Sequence, residues 1–211
     1  MTFFKYGQTE LAHLKKKDKK LGLAIERIGM IERPTTPDLF TALIHSIVSQ
    51  QIATRAAATV WQRLEEYCTG ISPQTIAAAS VEEIQKCGLS MRKASYIKGI
   101  GDSVARNELD ISEFPRLPDD EIVRRLSGLH GVGVWTAEML LIFSLQRPDI
   151  VSWGDLAIRR GMMALYGIKK LDREQFERYR KRYSPYGSVA SLYLWRLSAE
   201  TPPPKTKKER E

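Results

Sequence analysis

The fold of this protein is decided by the stretch Leu126-Ser127-Gly128-Leu129-His130-Gly131-Val132-Gly133-Val134-Trp135-Thr136-Ala137. A helix predicted over Asp120–Ser127 ends in it, a Gly-x-Gly turn follows, and an apolar helix is predicted over Val134–Leu145. Glycine suits such a turn because it adopts φ > 0 readily and, without a Cβ, lets a phosphate approach the backbone. The first N–H groups of the next helix would face that phosphate. The stretch therefore predicts a hairpin that binds the DNA backbone without reading its sequence, with a plain helix–helix turn as the alternative.

A second Gly-x-Gly segment, Gly99-Ile100-Gly101, tests how specific this pattern is. It lies inside a helical run from Met91 to Arg106, and it lacks both the leucine two positions before its first glycine and the Thr-Ala that follows the hairpin. We predict that its two glycines allow close packing between helices.

The rest of the chain has helical periodicity, which predicts an all-α fold. Capping boxes are predicted at Ser80 with Glu83 and at Asp172 with Gln175, and an apolar final helix is predicted over Val189–Leu197. A helix is also predicted over Ile52–Tyr67. An apolar stripe at helical spacing indicates a core-facing helix, and it consists of Phe40, Leu43, Ile44, Ile47 and Val48.

Composition limits the class of protein. The chain has 211 residues, enough for one domain or two small lobes, and its net charge of +8 favours a polyanionic partner. Its two cysteines are too few for a four-cysteine zinc or iron–sulfur site. The chain lacks a signal-like start and an apolar run of the ~20 residues that a membrane span needs, so we expect a cytoplasmic protein without membrane contact. We also expect a monomer, with a disordered tail over residues 202–211.

Basic residues cluster in three places: Lys15–Lys20, Lys169–Arg182 and the tail. From Lys169 to Arg182 there are seven basic and three acidic residues. Each cluster taken alone is more typical of a solvated face than of a contact surface.

A single carboxylate downstream of the hairpin is the catalytic candidate. A helix is predicted to begin at about Leu156, which makes Asp155 its N-cap, and capping alone would explain an aspartate there. The nine residues 146–154 can span up to ~30 Å, so the chain could return to a cleft near the hairpin. The residues alone leave the catalytic and the capping interpretations equally balanced.

Leu129–Ala137 followed by Asp155 resembles the helix-hairpin-helix (HhH-GPD) DNA glycosylase superfamily, and most closely its 3-methyladenine DNA glycosylase II, or alkyl-base, branch. The resemblance runs from about Leu21 to Ala199 and includes Ser49–Ile52 and Leu89–Ala94. It implies a glycosylase core over residues 1–201, with two helical lobes around a DNA-binding cleft. One lobe would cover about 36–150 and the other the N- and C-terminal segments. The N-terminal β domain of many bacterial members would be absent.

The chain departs from the family pattern at two hairpin positions. His130 stands where proline is usual, which leaves the conformation of the loop open. Trp135 stands where members that nick the backbone carry lysine, so the amine that would form a Schiff base is missing. The resemblance therefore implies a monofunctional enzyme without AP-lyase activity, acting on double-stranded DNA with damaged bases and without an iron–sulfur cluster.

The resemblance also implies roles for individual residues. Asp155 would stabilise the positive charge that develops on the deoxyribose, and Trp135 would stack on the flipped base, with Tyr186 as its partner in the pocket. Trp195 is a weaker pocket candidate, for which a core position is favoured. Met91 would be the wedge that fills the gap left by the flipped nucleotide.

The remaining implied contacts involve the minor groove, the DNA backbone and a cation. Gln50 and Gln51 would contact the minor groove, although helix capping explains them equally well. The phosphate would be bound by Gly131, Gly133 and Thr136. An optional structural Na⁺ or K⁺ would be held by the carbonyls of Ser127, Leu129 and Val132.

These features together predict an enzyme that removes alkylated, cationic purines such as 3-methyladenine. Such a base leaves as a neutral species, so one carboxylate and an aromatic pocket suffice, and no catalytic metal or redox cofactor is expected. Two alternatives stay open: a glycosylase for another class of damaged base, and a non-catalytic DNA-binding module of a repair complex.

Overall fold

A computed structural model describes residues 2–200, and over that range the chain is predominantly helical, which confirms the all-α class. The predicted tail, 202–211, lies outside the described residues. Two short strands, β1 (Thr2–Phe3) and β2 (Pro34–Thr35), pair in a two-stranded sheet that the sequence analysis did not predict. None of the helices within residues 2–200 is long and apolar enough to cross a lipid bilayer.

The helices up to the hairpin are α1 (Gln8–Lys17), α2 (Lys19–Ile28), α3 (Leu39–Ser49), α4 (Thr54–Cys68), α5 (Pro73–Ala78), α6 (Val81–Lys86), α7 (Met91–Ala105) and α8 (Asp119–Ser127). A 3₁₀ helix precedes α8 at Ile111–Arg116. The later helices are α9 (Val134–Phe143), α10 (Leu156–Tyr166), α11 (Arg173–Tyr183) and α12 (Gly187–Glu200).

The chain divides into two compact units. Unit 1 combines Phe3–Pro34 with the segment from Gln146 onward, and unit 2 is the continuous stretch Thr35–Leu145 between them. The hairpin belongs to unit 2 and Asp155 to unit 1. The cleft between lobes, and the lobe limits inferred from the resemblance, stay predictions.

Unit 2 is built around the predicted apolar stripe of α3, whose five members are at most 2% exposed. Helix α7 packs against α5, where a methyl group at Gly101 would lie 2.4 Å from Cγ2 of Ile76. The prediction of close packing is thus confirmed for Gly101. It is wrong for Gly99, because a methyl group there would meet nothing within 4 Å.

Local capping signals identified helix starts well. At α6, Ser80 Oγ accepts a hydrogen bond from the N–H of Glu83 (3.2 Å), and Glu83 Oε2 accepts one from the N–H of Ser80 (2.8 Å). The box of Asp172 and Gln175 at α11 is confirmed in the same way. Helix α4, in contrast, begins at Thr54 and two residues later than predicted, after Gln51 takes a left-handed conformation with φ 56°.

In unit 1, α10 and α12 approach so closely that only glycine fits between them. A methyl group at Gly161 would lie 1.9 Å from the carbonyl oxygen of Leu194. The loop before α10 is tied to the start of α12, since Ser188 Oγ donates to the carbonyl of Arg147 (2.6 Å) and accepts from the N–H of Ile150 (2.9 Å). These contacts fix the first part of the segment that leads to Asp155, from Arg147 to Ile150.

Candidate active site and hairpin

Both oxygens of the Asp155 carboxylate are held by hydrogen-bond donors. Oδ1 accepts from the backbone N–H of Ile158 (2.9 Å), as expected of the N-cap of α10, and Oδ2 accepts from Nε1 of Trp195 (3.2 Å). The residue is 7% exposed. Two acceptor oxygens are the pattern of an ionised carboxylate, and two donors on different helices fix its orientation.

The contact with Trp195 was missed by the sequence analysis, which favoured a core position for this residue. Its indole N–H reaches a residue 40 positions earlier, because α12 lies against α10 at Gly161. Helical periodicity only indicates which face of α12 is apolar. The signal that could have pointed to Trp195 is chemical: a tryptophan N–H in a partly buried position needs an acceptor.

Tyr186, the predicted partner in the base pocket, immediately precedes α12 in unit 1. Its ring is partly exposed and meets the ring of His13 edge-on, with 5.2 Å between centroids. His13 Nε2 is also 2.9 Å from the carbonyl oxygen of Ser184. Tyr186 is therefore held on α1 at the surface of unit 1, and its pocket role stays a prediction.

The hairpin connects α8 to α9 as predicted, and its two glycines differ in backbone conformation and in the space around them. Gly131 has φ 85°, and a methyl group on it would lie 2.4 Å from Cδ2 of Tyr96. Gly133 has an ordinary φ of −93° and nothing within 4 Å of the place a methyl group would take. It precedes α9 without a side-chain cap, which leaves an open approach to the start of the helix.

Gln50 is part of the hairpin's support. Its Nε2 donates to the carbonyl of Gly131 (2.8 Å), while its own carbonyl accepts from Nζ of Lys93 (2.5 Å). Lys93 also donates to the carbonyl of Val48 (2.9 Å), and burial lowers the pKa of this amine. Gln51 is exposed, whereas the side chain of Gln50 is bound to the hairpin's own backbone.

A cavity of about 270 Å³ lies within unit 2 beside Trp135, close to the ~300 Å³ at which ligand pockets begin. Trp135 is 48% exposed at its wall, whereas Thr136 is 7% exposed. Partial burial lowers the pKa of His45, although Glu65 opposes this shift. The residues lining this cavity, all within the described range, include no Asp, Glu, Lys or Arg: Thr36, Ala42, His45, Ser46, Ser49, Gln50, Trp135, Thr136, Met139, Leu140 and Phe143.

Met91 is the first residue of α7 and is 51% exposed, which is unusual for a large apolar side chain. Ile52, 41% exposed, lines a second hollow of about 490 Å³ that includes the flanking Ser90 and Arg92. An exposed methionine at a helix start is available for contact with another molecule. Its role as a wedge stays a prediction.

The predicted cation site uses backbone carbonyls of the hairpin. One of them, that of Leu129, accepts from the N–H of Val132 (3.1 Å). Within residues 2–200, no group of three or more His, Cys, Asp or Glu side chains is arranged to hold a metal ion. Cys68 and Cys87 are buried and not joined in a disulfide.

Known proteins resemble this arrangement in sequence and structure. The family described as HhH-GPD superfamily base excision DNA repair protein matches residues 44–185. DNA-3-methyladenine glycosylase 1 of Schizosaccharomyces pombe is 31% identical over 164 residues, which make up 75% of this chain and 72% of that protein. A DNA-3-methyladenine glycosidase structure from Bacillus halodurans has a TM-score of 0.84 and 34% identity, covering 94% of this chain and 93% of its own. The S. pombe 3-methyladenine DNA glycosylase in complex with abasic DNA has a TM-score of 0.73 and 29% identity, covering 91% and 97%.

Proposed function

The chain belongs to the HhH-GPD superfamily of base excision DNA repair proteins, and from that membership we propose that it is a monofunctional glycosylase for alkylated purines in duplex DNA. The membership confirms the resemblance that the sequence predicted, including its alkyl-base branch. The observation that carries the proposal is the geometry of Asp155: an oriented carboxylate with both oxygens held by donors. The names of the relatives, DNA-3-methyladenine glycosylases, support the substrate class.

In the proposed reaction, the bond between C1′ of the deoxyribose and the purine nitrogen breaks and its electron pair leaves with the base. An alkylated purine carries a positive charge, so it departs neutral and needs no proton from a general acid. The positive charge moves to the sugar, where the Asp155 carboxylate stabilises it until water adds to C1′. A carboxylate that is only 7% exposed acts with little screening by solvent.

Trp195 is proposed to be a positioning residue in this reaction. Its indole N–H and the N–H of Ile158 hold opposite oxygens of Asp155, so the carboxylate cannot rotate away from the sugar. Preorganisation of this kind lowers the reorganisation that the transition state requires.

We propose that the cavity beside Trp135 receives the flipped base, and Tyr186 stays a pocket candidate from the sequence alone. An electron-rich aromatic face favours a cationic purine over a normal base. His45 suits this role because its lowered pKa keeps the imidazole neutral at pH 7, where an imidazolium would repel a cation. A wall without acidic or basic side chains recognises the base by its π-system and shape.

The remaining DNA contacts are proposed as the sequence predicted them. The phosphate would be bound at Gly131, Gly133 and the first turn of α9, where the buried side chain of Thr136 leaves its backbone N–H as the contact. Met91 would be the wedge, with Gln51 in the minor groove. Gln50 would act through the hairpin that it supports.

We further propose a monomer that needs no cofactor, apart from an optional Na⁺ or K⁺ on the carbonyls of Ser127, Leu129 and Val132. It would act on chromosomal DNA, which in a bacterium lies in the cytoplasm. Since Trp135 replaces the lysine that would form a Schiff base, the product would be an intact strand with an abasic site. Borohydride trapping of a protein–DNA adduct would contradict this.

The decisive experiment compares two N-cap aspartates of unit 1. Asp155→Asn should lower single-turnover release of 3-methyladenine from methylated duplex DNA by roughly 10²-fold or more, while DNA affinity is retained. Asp172→Asn, which makes the same change at the N-cap of α11, should leave the rate within about twofold because asparagine also caps helices well. Equal rates for the two variants, or a wild-type protein that releases no base, would sink the proposal.

The substrate class is tested separately with Trp135→Ala. We expect a larger loss of rate on cationic lesions such as 3-methyladenine than on a neutral damaged base such as hypoxanthine, since only the former gains from the aromatic face. An equal loss on both would favour a glycosylase for another class of base. Normal binding without turnover on any lesion would favour the non-catalytic module.

A further inference from the structure

A group of exposed cations surrounds one buried aspartate in unit 1. Asp18, between α1 and α2, is 4% exposed. The cations around it are exposed and lie in the last turn of α1, the first turn of α2 and the last turn of α11. We call them the Asp18 patch: Lys16, Lys17, Lys19, Lys20, Lys181 and Arg182.

Asp18 joins three helices at this patch. Its Oδ1 caps α2 by accepting from the N–H of Leu21 (3.0 Å). Its Oδ2 accepts from the hydroxyl of Tyr166 (2.6 Å), at the end of α10, and from Nη1 of Arg182 (3.1 Å). A single carboxylate therefore brings together helix ends that carry lysine and arginine.

Aromatic rings hold two of these cations in place. Tyr166 and Tyr179 stack with 3.7 Å between their centroids. The guanidinium of Arg182 lies 5.0 Å from the Tyr179 ring and 5.8 Å from the Tyr166 ring, and Nζ of Lys20 lies 5.9 Å from the latter. Lys20 also donates to the carbonyl of Tyr166 (3.1 Å). Apart from the ion pair of Arg182 with Asp18, these contacts order the patch without neutralising its positive charge.

The arginines of α11 have acidic partners. On this helix, Arg173 and Arg180 form ion pairs with Glu177, Arg178 with Glu174, and Arg182 with Asp18. At the last turn and around Asp18, by contrast, Lys16, Lys17, Lys19 and Lys181 form no ion pair with any residue of the described range 2–200. Clustered like charges repel one another, and a polyanion relieves that repulsion.

The position of the patch connects it to the proposed site. His13, which packs against Tyr186, lies on α1 one turn before Lys16 and Lys17. The patch therefore continues from the Tyr186 end of α1 along unit 1.

We propose that the Asp18 patch binds the phosphate backbone of duplex DNA flanking the lesion. This proposal rests on the proposed function for the identity of the polyanion, but it concerns a surface that takes no part in base removal. Contacts of this kind are independent of sequence, release counterions and increase the residence of an enzyme that searches long DNA.

The test measures binding, so that it does not depend on catalysis. The triple variant Lys16→Gln, Lys17→Gln, Lys19→Gln removes three charges from the patch. The control, Lys86→Gln, Arg106→Gln, Arg116→Gln, removes three from exposed positions of unit 2. Fluorescence anisotropy with 25- and 10-base-pair duplexes, each carrying one central abasic site, gives Kd across a series of NaCl concentrations for both variants and the wild type, with thermal melting to establish that each is folded.

We expect the patch variant to reduce the slope of log K against log[NaCl] by about 2 to 3, since each phosphate contact contributes ~0.9. The control should keep the wild-type slope. On a 10-base-pair duplex the difference should vanish, because the flank is missing, and single-turnover base release at saturating protein should be unchanged. A wild-type slope in the patch variant, an equal loss in the control, or a loss that persists on the short duplex would each overturn the proposal.

If the triple variant melts early, Lys19→Gln with Lys181→Gln tests the same surface without changing α1, and it should lower the slope by about 1 to 2. An unchanged slope there overturns the proposal as well. If the wild type releases no base and the patch slope still falls, the function fails while the DNA-binding surface stands.

Discussion

Gly99-Ile100-Gly101 and Gly131-Val132-Gly133 have nearly the same sequence, lie in the same unit and have opposite structural roles. The first is inside α7, where Gly101 gives space to Ile76 and Gly99 touches nothing. The second is a turn, where Gly131 has φ 85° and Gly133 opens the start of α9. In each pair, one glycine is required by its neighbours and the other is free of them.

The two segments differ in function at the glycine with open space around it, Gly99 or Gly133, and not at the glycine that its neighbours require. A methyl group added at either Gly101 or Gly131 would lie 2.4 Å from a side-chain carbon, so both glycines are needed for packing. Gly99 also has open space around it, but it lies in the interior of α7, where the backbone N–H groups are already bonded within the helix. Gly133 is free at an uncapped helix start, where N–H groups are available to a ligand. Four substitutions to alanine test this distinction.

Gly131→Ala should have the largest effect. A left-handed conformation costs an L-residue ~1–2 kcal/mol, and displacing the Tyr96 ring adds roughly 1–3 kcal/mol, so we expect about 2–5 kcal/mol less stability towards denaturant. Gly70→Ala is the control, since Gly70 has φ 106° and no neighbour within 4 Å. If both variants lose the same stability, the contact with Tyr96 contributes nothing.

Gly101→Ala should come next. Overpacking against Ile76 costs ~1–3 kcal/mol, and the better helix propensity of alanine returns ~1 kcal/mol, for a net loss of about 0–2 kcal/mol. Adding Ile76→Ala should make the two substitutions interact favourably in a double-mutant cycle, because the new methyl group takes space that the isoleucine leaves. Strict additivity would show that Gly101 does not limit the packing of α5 and α7.

Gly133→Ala should leave the fold intact and weaken the hairpin. With φ −93° and open space, stability should change by no more than about 0.5 kcal/mol. A methyl group in the path of the phosphate should raise the Kd for duplex DNA about tenfold, equivalent to ~1.4 kcal/mol. Wild-type affinity in an anisotropy titration would mean that the phosphate does not approach there.

Gly99→Ala should have the smallest effect and the opposite sign. Alanine in an open helical position should stabilise the protein by roughly 0.5–1 kcal/mol, with unchanged affinity for DNA. A loss of affinity here, as in Gly133→Ala, would remove the distinction between the two free glycines.

Features that depend on neighbours in the sequence were predictable. The capping boxes of α6 and α11 and the buried stripe of α3 each follow from residues within one or two helical turns. The N-cap position of Asp155 was found in the same way. Gly99 was mistaken for a packing residue because a sequence pattern cannot say which of two nearby glycines faces another helix.

Features that join distant segments could not be predicted from periodicity. The hydrogen bond from Trp195 to Asp155 depends on how α12 lies against α10, and the bond from Gln50 to Gly131 spans 81 positions. Neither has a spacing rule, since both follow from tertiary packing. The family resemblance pointed to Asp155 and Trp135, but the atoms that orient Asp155 emerged only from the folded chain.

The discontinuity of unit 1 has a consequence for synthesis on the ribosome. Unit 2 has all of its residues once Leu145 has been made, whereas the partner that orients Asp155 comes 50 positions later, at Trp195. Domains fold as units, and the earlier ones fold first during translation. Unit 2 with its hairpin can therefore fold before Trp195, which orients Asp155, has been made. A chain that terminates before α12 would thus contain the proposed DNA-binding hairpin and lack the indole that orients Asp155.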